Sequence, residues 1–167
     1  MRQWIVLTLS CSLVLCHGAP AHARDLQGRL GLGYNSQFAN AGSGFAPFAT
    51  PGISLKYAVT RDIALNLIGG LTTSTRLNAI VGGKVYKTLF FETNLNFYTM
   101  IGFGLVSGGG NGGIDAFGGF GAEFFIPGIE SLGIQFETGA GIDNLSGSFV
   151  FKTIGVSILN AGIHFYF

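Results

Sequence analysis

Beyond its first two dozen residues the chain repeats one pattern: apolar positions alternate with polar or small ones at a period of two. That is the period of a β-strand whose two faces meet different surroundings. From Phe91 the odd positions read Phe91, Thr93, Leu95, Phe97, Thr99, Ile101, Phe103 and Leu105. The even positions between them read Glu92, Asn94, Asn96, Tyr98, Met100, Gly102, Gly104 and Val106. Stretches 30–34, 53–59, 63–67, 79–85, 114–126, 132–142 and 149–167 follow the same rule, which makes eight predicted strands.

The connections alternate in length. Three are tight (60–62, 86–89 and 127–131) and four are looser (39–51, 72–78, 107–113 and 144–148). Tight turns at one end and longer loops at the other predict an all-β fold, an eight-stranded antiparallel up-and-down barrel of the transmembrane kind. Sixteen charged side chains follow residue 23. Arg24, Asp25, Arg61, Asp62, Arg76, Lys87 and Glu130 lie at the start or in connections. The other nine are Arg29, Lys56, Lys84, Glu92, Asp115, Glu123, Glu137, Asp143 and Lys152, and each falls on the polar parity of its predicted strand. An Arg or Lys facing lipid at mid-bilayer costs about 2–4 kcal/mol, and this distribution avoids that cost.

Composition decides which face is outside. Apolar residues make up 48% of the chain and charged residues 10%, against roughly 25% charge in an ordinary soluble domain. A water-soluble barrel keeps its apolar face inside and needs a charged surface; here the bulky apolar face is the one turned outward, toward lipid. A net charge of +1 excludes a dedicated nucleic-acid binder. Eight strands enclose a lumen just wide enough for side chains to fill. Four basic and five acidic luminal positions therefore predict an ion-paired plug, with a small pore for ions or solutes as the alternative.

The first segment has its own logic. Arg2, thirteen mostly apolar residues from Trp4 to Cys16 and an Ala21-His22-Ala23 box describe a secretory signal peptide at 1–23, cleaved after Ala21 or Ala23. The run is too short for a membrane-spanning helix, which needs about 20 residues. Cleavage leaves the barrel domain at 24–167, without Cys11, Cys16 or the lone Trp4, so it has no disulfide to form and no thiol for a metal.

The chain ends Ala161-Gly-Ile-His-Phe-Tyr-Phe167, with Ile163, Phe165 and Phe167 alternating up to a terminal aromatic. With the signal peptide and the eight alternating segments, this resembles the small eight-stranded outer-membrane barrels of the OmpA/OmpX type. The resemblance implies a Gram-negative, porin-like envelope protein in the outer membrane, monomeric, with both termini periplasmic. It implies that the terminal pattern is read by the barrel assembly machinery and periplasmic chaperones, and that outer-membrane lipid and lipopolysaccharide are its surroundings. It carries no activity with it.

Some small barrels of this kind modify lipid A, which needs a nucleophile and a base in contact. His164 stands three residues from the C-terminus and Ser54 near the outer end of its predicted strand, a placement that argues against a Ser–His pair. The run Ser107-Gly-Gly-Gly-Asn-Gly-Gly113 lacks the Lys-Ser/Thr of a phosphate loop and reads as a flexible outer loop. Asn144-Leu-Ser146 matches a glycosylation sequon by coincidence, and no metal-ligand cluster is present. In loop 39–51, Phe45 and Phe48 are the contact candidates, as interface anchors or partner contacts. The expectation is a non-enzymatic barrel without cofactor, serving envelope integrity or surface interaction.

Overall fold

Among the described residues the alternating segments form nine strands: β1 (Leu30–Asn35), β2 (Gly52–Ala58), β3 (Ile63–Thr72), β4 (Asn78–Glu92), β5 (Leu95–Gly108), β6 (Asn111–Phe125), β7 (Leu132–Leu145), β8 (Ser148–Thr153) and β9 (Asn160–Tyr166). This computed structural model describes residues 25–38, 52–72, 78–108, 111–145, 148–154 and 158–167. The expected signal peptide at 1–23, Arg24, Arg76 and loop 39–51 with Phe45 and Phe48 lie outside the described residues.

Antiparallel pairing runs from β1 in chain order to β7 and returns through β9 to β1, closing a barrel. β8 and β9 share the eighth stave: β8 pairs with residues 140–145 of β7, and β9 with residues 132–137. The seam is pinned where Leu30 and Phe167 exchange backbone bonds at 3.2 and 3.0 Å. Closure leaves no long edge of unpaired N–H and C=O groups. The first described residues from Asp25, the C-terminal Phe167 and the turns at 59–62, 93–94 and 126–131 lie at one end, the turn end; the opposite end is the loop end.

Register fixes how the staves are staggered. From Gly33 the pairing steps through Ser54, Ile68, Gly82, Gly104 and Asp115 to Asp143 on β7. In the other direction it steps through His164 to Gly133 on the same strand, ten residues away. A ten-residue stagger over eight staves tilts the strands by roughly 40°, within the range that closed barrels of this size adopt. Residues level with one another in the lumen are therefore spread over very different strand positions.

The two faces divide cleanly. Leu32, Leu55, Leu65, Val81, Phe103, Leu105 and Phe165 are exposed outward, and Phe149 and Phe151 are 72% and 81% exposed. Lys56, Lys84, Asp115, Glu123, Glu137 and Asp143 are buried inside, with Asn66, Gln135, Asn160 and His164.

Several expectations need correction. The turn predicted at 86–89 is strand: β4 runs through to Glu92 and turns at 93–94. A β-bulge between Thr88 and Phe90 breaks the alternation there, and one inserted residue resets parity as a turn would. Beyond the bulge Phe91 pairs with Asn96 and Glu92 with Leu95, so Glu92 ends the strand on the outward parity, exposed and not luminal. The glycine run at 107–113 is mostly ladder, with Ser107 opposite Gly112 and Gly108 opposite Asn111, because glycine backbone groups pair as any others do. The connection at 144–148 is likewise tighter than expected, since Leu145 pairs with Ser148.

The luminal parity also holds more bulk than its composition suggests. After β1, Ser36, Gln37 and Phe38 turn inward, and Phe38 packs edge-on against Phe117, with ring centroids 6.0 Å apart. The ring lies over Gly82 and Gly104, where a Cβ would sit 2.4 Å from it in each case. Gly104→Val is expected to destabilise the barrel by about 1–3 kcal/mol through overpacking, read as a lower urea midpoint in refolding titrations. Ala116→Val, on the exposed face, is expected to leave the midpoint unchanged.

Candidate functional site

The lumen is the site that the charge pattern singles out, and it is layered from the turn end upward. Leu26, Ala58, Phe125 and Tyr166 form the lowest layer. Above them Lys56 Nζ meets Glu123 Oε2 at 2.8 Å, and the Tyr166 hydroxyl donates to Glu123 Oε1 at 2.5 Å. β2 and β6 stand on opposite sides of the barrel, so this pair braces its full diameter. The Lys56 ammonium also lies 4.6 Å from the centre of the Tyr86 ring, a cation–π contact.

The next layer centres on Glu137. Lys84 Nζ approaches its Oε2 at 2.5 Å, and the Asn160 amide donates to the same oxygen. Tyr98 OH and Gln135 Nε2 each donate to Oε1 at 3.1 Å. Four donors on one carboxylate are the arrangement that makes a buried charge tolerable. Lys84 reaches Asn35 Oδ1 at 3.4 Å, and Asn160 donates to the same atom at 3.3 Å.

Ile68, Ile80, Val106, Phe117, Ile154 and the inturned Phe38 form an apolar layer above. Toward the loop end Lys152 bridges two carboxylates, 2.8 Å from Asp115 Oδ2 and 2.8 Å from Asp143 Oδ1. Arg29, half-buried at the turn end, donates to the Tyr166 carbonyl at 3.2 Å.

Of the nine charges assigned to the lumen, the fold brings Lys56 to Glu123, Lys84 to Glu137, and Lys152 to Asp115 and Asp143. Arg29 lies at the turn-end rim and Glu92 outside. Ile163, Phe165 and Phe167 face outward along the closing stave and its end. Sequence reasoning did not assign Tyr98, Tyr166, Gln135, Asn35 and Asn160 to the network. Their signal was present, since each shares the parity of the charges, but parity alone does not say which charge they reach.

One expectation is overturned. Ser54 Oγ lies 2.8 Å from His164 Nε2, both fully buried. Both residues pair with Gly33 from opposite sides, so their side chains meet across a residue that has none. The described parts of β1 and β2 are short, and the stagger brings the outer part of β2 level with β9. Ser54 Oγ also donates to Asn66 Oδ1 at 2.8 Å, and Asn66 Nδ2 donates to the Tyr86 hydroxyl at 3.1 Å. With the serine proton committed to Asn66, the histidine is the donor to Oγ. Among the described residues its Nδ1 has no hydrogen-bond partner.

No family profile matches the chain, and no curated protein resembles it in sequence. Among solved structures the chain is similar to the N-terminal β-barrel domain of Pseudomonas aeruginosa OprF. The TM-score is 0.52 at 16% identity, over 83% of this chain and 96% of that domain. The likeness is one of fold: both are closed antiparallel barrels.

Removing one partner of the central pair tests the network. Glu137→Met leaves Lys84 with the long contact to Asn35 and the Phe117 ring at 5.7 Å, and is expected to cost about 5 kcal/mol. Lys84→Met leaves Glu137 with three neutral donors and is expected to cost about 3 kcal/mol. The double variant should recover most of either loss in urea unfolding, the signature of a pair whose members are costly only when alone.

Proposed function

We propose that the chain is a transmembrane β-barrel of the outer membrane, non-enzymatic, its lumen closed by an ion-paired plug, acting through its wall and outer loops in envelope integrity or surface interaction. One observation carries the reading: large aliphatic and aromatic side chains cover the outside of the staves while the strand-borne ammonium and carboxylate groups turn inward, save Lys87 and Glu92 at the turn end of β4. In water that arrangement exposes apolar surface far beyond the few hundred Å² a monomer tolerates. In lipid it is the favourable one, because a closed ladder satisfies the backbone without solvent. The barrel likeness supports the architecture.

The plug reading draws on the Lys56–Glu123 brace and on the Glu137 cluster, which place hydrogen-bonded side chains across the lumen at successive levels. The non-enzymatic reading draws on the Ser54–His164 geometry. A serine nucleophile needs its proton directed at the base, and the base needs an orienting group on its far nitrogen. Here the proton points to Asn66, and among the described residues nothing bonds Nδ1.

Two measurements test these statements. The folded barrel should enter lipid vesicles and migrate on gels at a different mobility with and without boiling; solubility without detergent and identical migration would refute the membrane reading. In planar bilayers the inserted protein should give no stable single-channel steps. Steps abolished by Lys56→Gln or Glu123→Gln would replace the plug with a conducting pore.

A further inference from the structure

The ion pairs of the lumen are not alike. Lys56–Glu123 and Lys84–Glu137 each set one ammonium against one carboxylate that neutral donors complete. The loop-end cluster sets Lys152 against two buried carboxylates, Asp115 and Asp143, which are direct register partners on β6 and β7. Among the described residues nothing donates a hydrogen bond to Asp115 Oδ1 or Asp143 Oδ1. Lys152, on β8, pairs with Gly141, so it reaches Asp143 diagonally from the adjacent strand.

The two contacts of Lys152 are equal in length and different in kind. Its ammonium donates to Asp115 Oδ2 at 2.8 Å. It also lies 2.8 Å from Asp143 Oδ1, but without the alignment of a hydrogen bond, since that oxygen accepts none. An N–H therefore points at Asp115, and the Asp143 carboxyl stays open to the nitrogen lone pair once a proton has left. A carboxyl carbon lies one bond, about 1.2 Å, beyond its oxygen. Nζ and the Asp143 Cγ thus stand at or near the roughly 3–3.5 Å of a near-attack arrangement. Phe117 and Ile154, two residues from Asp115 and Lys152 on the same faces, belong to the apolar layer and keep water from the inner side. Lys152 is partly exposed, which leaves a way out for a released water.

We propose that Lys152 and Asp143 condense to an intramolecular isopeptide bond, with Asp115 relaying the protons. Asp115 Oδ2 takes one proton from the ammonium, and the freed lone pair attacks Asp143 Cγ to form the N–C bond. Asp115 passes that proton, and then a second from the nitrogen, to one oxygen of Asp143. The C–O bond breaks, its electron pair stays on that oxygen, and the oxygen departs as water. The third ammonium proton remains on the amide, whose N–H keeps the hydrogen bond to Asp115. The cluster carries one net negative charge before and after, so the step needs no oxidant, reductant or cofactor. The bond ties β8 to β7 where the eighth stave is divided between β8 and β9. It is independent of the membrane reading.

In the test, the full chain is recovered unfolded in urea and folded into detergent micelles, which starts the reaction. Heat-dependent gel mobility scores folding first. The intact mass of the folded chain should fall by the mass of one water. Trypsin should then fail to cut after Lys152, so that residues 88–167 emerge as one internally linked peptide. Lys152→Arg should keep its full mass. Asp143→Asn should still link, losing the mass of one ammonia instead of one water. Asp115→Asn should fold and link at least about a hundredfold more slowly, the share of a proton relay. A folded unaltered chain of full mass, cut normally after Lys152, overturns the proposal. Loss of water with normal cleavage there overturns it too, because the loss then lies elsewhere. An Asp115→Asn chain that links at the unaltered rate overturns the relay.

Discussion

Closure of eight staves with a ten-residue stagger fixes a lumen only a few side chains across, and the charged residues must be fitted into it. Away from the turn-end rim, where Lys87 and Glu92 face outward, the strand-borne ammonium and carboxylate groups cannot face an apolar exterior, and inside they cannot stand alone, because an isolated buried charge costs several kcal/mol. The Lys56–Glu123 and Lys84–Glu137 pairs follow from that double exclusion. Each forms where two charges of opposite sign reach the same height from different staves, and each carboxylate is completed by neutral donors: Tyr166 for Glu123, and Tyr98, Gln135 and Asn160 for Glu137.

The same radius governs the apolar filling. Rings occupy the lumen where another stave gives up its side chain. Phe38 lies over Gly82 and Gly104, and Tyr166 over Gly31, where a Cβ would sit 2.7 Å from the tyrosine ring. The tyrosines join the two kinds of layer. Their rings pack in the apolar clusters while their hydroxyls complete carboxylates, and Tyr86 and Tyr98 meet edge-on at 4.9 Å beneath the Lys56 ammonium. Apolar packing and ion pairing thus position one another, and a substitution in either layer is felt in the other.

Parity made the faces legible in the sequence, because it is a local property that every strand reports independently. Register made the partners illegible. Height in the lumen depends on the accumulated stagger of all intervening staves, and a single bulge changes it. The bulge after Thr88 shows the ambiguity: Lys87 and Thr88 are polar, the alternation slips, and the pattern matches a tight turn as well as an extra residue in a continuous strand. Only pairing with residues 97–99 of β5 distinguishes the two. Glu92 was misassigned for that reason, while Lys56 and Lys84, on the loop side of the irregularity, keep the luminal parity that their neighbours imply.

Ser54 and His164 show how far proximity falls short of chemistry. The stagger brings them to 2.8 Å across Gly33, a distance that in a hydrolase would mark nucleophile and base. The surrounding hydrogen bonds run the other way. Asn66 accepts the hydroxyl proton, so the imidazole donates where a base would accept, and among the described residues no carboxylate reaches Nδ1. Both side chains are fully buried, below the apolar layer that Phe38 and Phe117 build toward the loop end. For the pair to act, the Asn66 bond would have to turn, an acid would have to reach the far nitrogen, and that layer would have to part. The contact satisfies, within a narrow lumen, a serine and a histidine that register has made neighbours.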